Sequence, residues 1–138
     1  MRATPGLPPV FLPRGCAVTT GELGEKLACI YLERKGYTIL CRNYHSRWGE
    51  IDIIARIGTY IVFAEVKTRA PDAIAPAEES VGAAKRRKIL RTAQQYLSLF
   101  PQRLQPRFDV LALTMEGNGA RVKHYENAFG AEDGYAPF

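Results

Sequence analysis

The chain of 138 residues is the length of one ordinary domain. Its 46% apolar and 24% charged residues are the proportions of a soluble globular protein. A chain of this size buries about two-thirds of its unfolded surface and needs no covalent or metal staple to fold. A multidomain machine, a collagen-like or disordered chain and a stapled mini-protein are therefore excluded.

Residues 1–18 carry Pro5, Pro8, Pro9 and Pro13, and Arg14 interrupts the one apolar stretch. This lacks the continuous apolar segment of a signal peptide and predicts a disordered leader. Thr19-Thr20-Gly21-Glu22 has capping-box spacing, with Thr19 as N-cap. Leu23, Leu27, Ile30 and Tyr31 recur at helical spacing, and Gly36 suits the position past a helix end. Together they predict a helix over 20–35. Strands are predicted over Tyr37–Cys41, Glu50–Arg56 and Tyr60–Thr68, the last two joined across Gly58-Thr59. Pro71 and Pro76 bracket a loop with acids at its end.

A second helix is predicted over Ala83–Phe100, with Ile89, Leu90, Ala93, Tyr96, Leu97 and Phe100 on its apolar face. Arg107–Leu113 and Arg121–Tyr125 read as a hairpin around Glu116-Gly117-Asn118-Gly119. The order α-β-β-β-α-β-β predicts an α/β domain with a mixed sheet flanked by helices, spanning 19–126 and followed by a tail over 127–138. No apolar run reaches membrane length. Cys16, Cys29 and Cys41 form no C-x-x-C pair, which predicts small core residues, a reducing compartment and a cytoplasmic protein.

The net charge of +5 points to an anionic partner, and its distribution is uneven. Nine of the fourteen acids lie between Glu22 and Glu79, whereas Ser80–Phe108 holds seven bases and no acid. Lys85, Arg86, Arg87 and Lys88 fall in the first turns of the second helix, with Arg91 beyond them. The dipole disfavours cations there, so phosphate binding is a better reason for them than stability. Trp48 and Tyr44 are the nearby aromatics that could meet bases, though Trp48 suits a core position equally. His45 and His124 are isolated and expected to play no catalytic part.

Glycine first in a two-residue loop suits a type II′ turn at Gly58-Thr59. That turn sets Asp52 opposite Glu65 and Glu50 opposite Lys67, both pairs on one face. Opposed carboxylates in an apolar strand pair are costly unless a cation joins them. A divalent ion does so, and Mg²⁺ or Mn²⁺ is expected on Asp52 and Glu65 with Lys67 beside it. Such a site can cleave phosphodiesters, the ion lowering the pKa of bound water.

Gly49-Glu50-Ile51-Asp52, then Glu65-Val66-Lys67, resembles the D…(D/E)-x-K motif of the PD-(D/E)XK nuclease superfamily. More narrowly, the chain resembles the YraN-like bacterial family of predicted endonuclease-like proteins over about residues 19–125. Four blocks carry the likeness: Gly21–Glu25, extending to Ala28, Leu32, Gly36 and Tyr37; Arg42-Asn43-Tyr44; Gly49–Ala55 with Val62–Arg69; and Arg107-Phe108-Asp109-Val110. The resemblance implies a restriction-endonuclease-like core similar to archaeal Holliday-junction resolvases, and a homodimer by analogy with them. It also implies that Glu25, from the first helix, completes a catalytic set with Asp52, Glu65 and Lys67, although periodicity alone places Glu25 on the surface. Arg69 joins Lys85, Arg86, Arg87, Lys88 and Arg91 as an expected nucleic-acid contact.

The leading expectation is thus a metal-dependent DNA endonuclease, with branched or repair-intermediate DNA among its candidate substrates. A non-catalytic nucleic-acid-binding module that keeps the fold is the alternative. A protein-interaction adaptor is the third reading.

Overall fold

The computed structural model describes residues 9–11, 20–71 and 81–130. Eight elements follow in the order β1 (Val10–Phe11), α1 (Thr20–Arg34), β2 (Thr38–Ser46), β3 (Gly49–Ile57), β4 (Tyr60–Arg69), α2 (Ala83–Leu99), β5 (Gln105–Glu116) and β6 (Gly119–Phe129). They build one six-stranded sheet in the order β1-β6-β5-β4-β3-β2. Neighbours are antiparallel except β4 and β5, which α2 connects in parallel. The fold is mixed α/β, with the predicted succession of elements preceded by β1.

That extra strand corrects the expected leader. Val10 and Phe11 pair with Ala120 and Gly119, and Val10 is buried. Gly119 is where the strands fit, since a Cβ there would run into the Phe11 ring. The rest of the leader, the Thr19 cap, Cys16, the Pro76 loop with its acids, and residues 131–138 lie outside the described residues. Cys29 is buried and Cys41 half-buried, both as free thiols.

Alternation along β4 explains the layering. Ile61 and Phe63 join Ile89, Leu90, Ala93 and Tyr96 of α2 in one apolar cluster. Val62 and Ala64, pointing the other way, join Leu27, Ala28, Tyr31 and Leu32 of α1 in a second. The helices therefore cover opposite faces of the sheet. Phe100 departs from its expected core position. It leaves helical geometry at the end of α2, donates its N–H to the Tyr96 carbonyl at 2.8 Å, and is half exposed.

α1 packs tightly on β4 at Gly24, where an added Cβ would sit 2.5 Å from Thr68 Oγ1. Thr68 is short and β-branched, so it has little room to yield. Gly24→Ala is expected to cost about 1–3 kcal/mol, seen as a lower melting temperature. Adding Thr68→Ala should recover most of that loss, and an unchanged melt in the single variant would disprove the close approach.

Candidate functional site

The β3–β4 hairpin turns as expected. Gly58 has φ 53°, and the pairs run from Ile57↔Tyr60 to Ile53↔Ala64. This is the register that puts Asp52 level with Glu65. At that level the ladder stops, while β3 continues against β2 as far as Gly49. Asp52 fills the break: its Oδ2 accepts the Val66 N–H at 2.8 Å, in place of a strand carbonyl.

The expected Glu50–Lys67 pair does not form, because the ladder ends before it. Glu50 faces β2 instead, opposite His45, with His45 Nδ1 3.2 Å from its carboxylate. Lys67 turns to Glu65, 3.6 Å away. Lys85 of α2 reaches the same Glu65 oxygen, so two ammonium groups converge on one nearly buried carboxylate.

The electrostatics follow from that crowding. Burial, reinforced by the Glu65 charge, pushes the Asp52 carboxyl up to about 7, although the Val66 N–H pulls the other way. Burial and the neighbouring Lys85 charge hold the Lys67 ammonium below its ordinary range. Burial also works against the charge of Lys85, but its contacts with Glu65 and Lys67 outweigh it and the pKa rises.

A second aspartate performs the same backbone task with the opposite electrostatics. The β5–β6 register shifts between Phe108 and Val110, and Asn127, at φ 53°, donates its N–H to Asp109 Oδ1 at 3.0 Å. Asp109 is fully buried but amply partnered. Arg107 grips it through Nε at 3.0 Å and a terminal nitrogen at 2.8 Å, and His124 Nε2 lies 2.7 Å away. Arg107 also donates to the Tyr37 hydroxyl at 2.6 Å. Burial would raise the Asp109 pKa, but His124 and Arg107 more than offset this and hold it low. Asp109 is thus a satisfied structural hub, whereas Asp52 is left beside a like charge. That contrast marks Asp52 and Glu65 as the chemically poised pair.

Both carboxylates could hold a cation. The donor set is all oxygen, and a divalent ion would offset both the burial and the Glu65 charge that raise the Asp52 pKa. Two carboxylates with water and phosphate oxygens fit the habits of Mg²⁺ or Mn²⁺. No third acid completes a cluster among the described residues. Glu25 is close enough for its charge to act on Asp52, but its carboxylate is engaged by Asn43. With its amide turned to donate, Asn43 reaches the two Glu25 oxygens at 3.1 and 2.5 Å. Asn43 holds this place in β2 with φ 51°. Burial, partly offset by Arg42, raises the Glu25 pKa.

The basic residues divide into two groups. Lys85 is committed to Glu65. Arg86 folds back, donating from Nε to the Val81 carbonyl at 3.0 Å with its guanidinium over the Phe129 ring. Arg87 and Lys88 line an open cleft with Arg47, Trp48, Ala84 and Arg91, the last lying over the Trp48 ring. Arg69 follows Glu65 and Lys67 on the α2-facing side of β4, since the β4–β5 ladder runs unbroken to Arg69. The sequence reading missed Arg47 and the Asp109–His124 pair. The fourth block of the resemblance signalled Asp109, but nothing local pointed to His124.

Comparison with known proteins places these residues in context. The model of the family described as "Uncharacterised protein family UPF0102" matches residues 24–113. A UPF0102 protein of Syntrophotalea carbinolica is 47% identical over 113 residues, covering 81% of this chain and 92% of that one. One from Thermodesulfovibrio yellowstonii is 43% identical over 112 residues, covering 81% and 96%. A third, from Chlorobium chlorochromatii, is 36% identical over 126 residues, covering 87% and 98%.

Proposed function

The chain belongs to the UPF0102 family, and from the chemistry of its own site we propose that it is a metal-dependent DNA endonuclease with a restriction-endonuclease-like core, acting in the cytoplasm. The observation that carries this reading is the pairing of Asp52 with Glu65 where the β3–β4 ladder ends, with the Asp52 pKa raised to about 7. Asp52 and Glu65 would hold the Mg²⁺ or Mn²⁺. When bound, that ion would polarise the phosphodiester and lower the pKa of attacking water.

The rest is done by the chain. The Val66 N–H fixes the Asp52 carboxyl, so its other oxygen has a set direction. Lys67 sits beside Glu65, where its ammonium can orient a nucleophile or neutralise charge building on phosphorus. Its lowered pKa makes proton exchange at Nζ easier than for a free lysine. Glu25, tethered by Asn43, adds negative potential from the α1 side. Arg87, Lys88 and Arg91 of α2, with Arg69, would supply the surface for the remaining phosphates.

A cleavage panel of single-stranded, duplex, flapped and four-way DNA, with and without Mn²⁺, tests the reading. Ion-dependent cutting is expected, and Asp52→Ala, Glu65→Ala and Lys67→Ala should each abolish it while DNA binding survives. Undiminished cutting by the Asp52→Ala protein would remove the assigned site. The Lys85–Glu65 ion pair favours a second reading, a binding module without catalysis, because an ammonium already neutralises the carboxylate. Salt-sensitive binding to every substrate with no cutting of any would support that alternative.

A further inference from the structure

Trp48 is the only tryptophan in the chain and stands in the two-residue turn between β2 and β3. Arg47 lies over its ring at 4.6 Å from the centroid and Arg91 of α2 at 4.5 Å. Trp48 is half-buried and belongs to neither core cluster. The turn is nonetheless firmly placed. Ser46 Oγ accepts the Trp48 N–H at 3.1 Å and meets the buried Thr92 hydroxyl at 3.2 Å. Thr92 in turn donates to the Lys88 carbonyl at 2.8 Å. Gly49, at φ 155°, lets the turn close onto α2, since a Cβ there would lie 3.3 Å from Lys88 Cβ.

The resulting cleft has a volume of about 410 Å³. The indole and Ala84 line it together with four cationic side chains, Arg47, Arg87, Lys88 and Arg91. A second cleft adjoins it through the shared Ala84 and Lys88 and is also lined by Lys85, the partner of Glu65. Lys85 thus touches the carboxylate site on one side and lines the cleft next to that of Trp48 on the other. The phosphate row of a duplex would use the cations and leave the indole idle. An unpaired nucleotide uses both, its phosphate meeting the cations and its base extending the stack of ring and guanidinium planes.

Resting on the nuclease reading of the neighbouring carboxylates, we propose that the Trp48 cleft seats an unpaired nucleotide, so that the preferred substrate carries a single-stranded segment beside the bond to be cut. Trp48 fluorescence tests this without any chemistry. The Asp52→Asn protein in EDTA is titrated with a short oligothymidylate and with a blunt duplex of the same length. The single strand should quench the tryptophan and the duplex should leave it nearly unchanged. By anisotropy of labelled DNA, adding Trp48→Ala should weaken single-strand binding about tenfold and duplex binding by less than about twofold. Arg47→Ala, an exposed turn variant that leaves the core intact, should show the same selectivity in smaller measure. Equal quenching by both DNAs, or equal losses in the variants, overturns the proposal. Mn²⁺-dependent cutting alongside such equality would leave the carboxylate site standing and remove only this subsite. Single-strand-selective quenching without cutting in any condition would keep the subsite and remove the nuclease reading.

Discussion

Asp52→Asn is expected to abolish ion-dependent cutting and, in EDTA at pH 8, to make the protein more stable. The carboxyl has an ordinary value of 3.8 and is pushed up to about 7 in the fold, first by burial and then by Glu65. In the unfolded chain Asp52 releases its proton near pH 4; in the folded protein it holds it until about pH 7. Stability drawn from this group therefore falls as pH rises between those values and stays low above them. An amide carries no charge and can still accept the Val66 N–H. A gain of about 2 kcal/mol at pH 8 is expected, less than the full linkage value because nearby ammonium groups already screen the pair. At pH 5 the native carboxyl is protonated but the unfolded one is not, so about a third of that fall has taken place and the advantage should shrink to under about 1 kcal/mol. Thermal melts of both proteins at the two pH values decide the matter, and an Asn variant no more stable at pH 8 than at pH 5, relative to the native chain, would disprove the assignment. Mg²⁺ should raise the melting temperature of the native chain at pH 8 and leave the variant unmoved. Function would then be retained at a cost in stability.

Asp109→Ala should have the largest effect on stability, about 3–5 kcal/mol, because it strands a buried guanidinium. Arg107, His124 and the Asn127 N–H all converge on this carboxylate. Against a total of about 5–15 kcal/mol for a domain, that loss approaches unfolding. Urea denaturation should show the midpoint collapse for Asp109→Ala and a smaller loss for Asp109→Asn, which keeps one acceptor. Replacing Arg107 and Asp109 together with apolar residues should cost less than Asp109→Ala alone. Additive losses would show that the two side chains are not coupled. Since the Asp109 pKa is held low, its contribution is present above the ordinary carboxylate range and lost as pH falls below it.

Much of this was legible in the sequence because it is local. Helical spacing located α1 and α2, and glycine in a two-residue turn fixed the β3–β4 register that aligns Asp52 with Glu65. Glu50 went astray because turn arithmetic assumes a ladder that continues, and this one stops where an aspartate side chain replaces a strand carbonyl. Val10–Phe11 were hidden among prolines, since a two-residue edge strand has no periodicity to detect. Arg47 and Arg91 are 44 positions apart and meet only because Gly49 lets a turn close onto a helix. His124 carries no signal at all until β6 lies beside β5. Long-range contacts of this kind are set by packing and have no local pattern.

Asn43 in β2 and Asn127 in β6 both carry left-handed backbone within a strand. β2 is one border of the sheet, and among the described residues β1 covers the β6 flank at two positions. Each flank thus has a corner where a straight neighbouring strand could not keep step. Such corners discourage two chains from zipping into a continuous sheet at high concentration. A second copy of this chain is thereby discouraged from extending the sheet strand by strand.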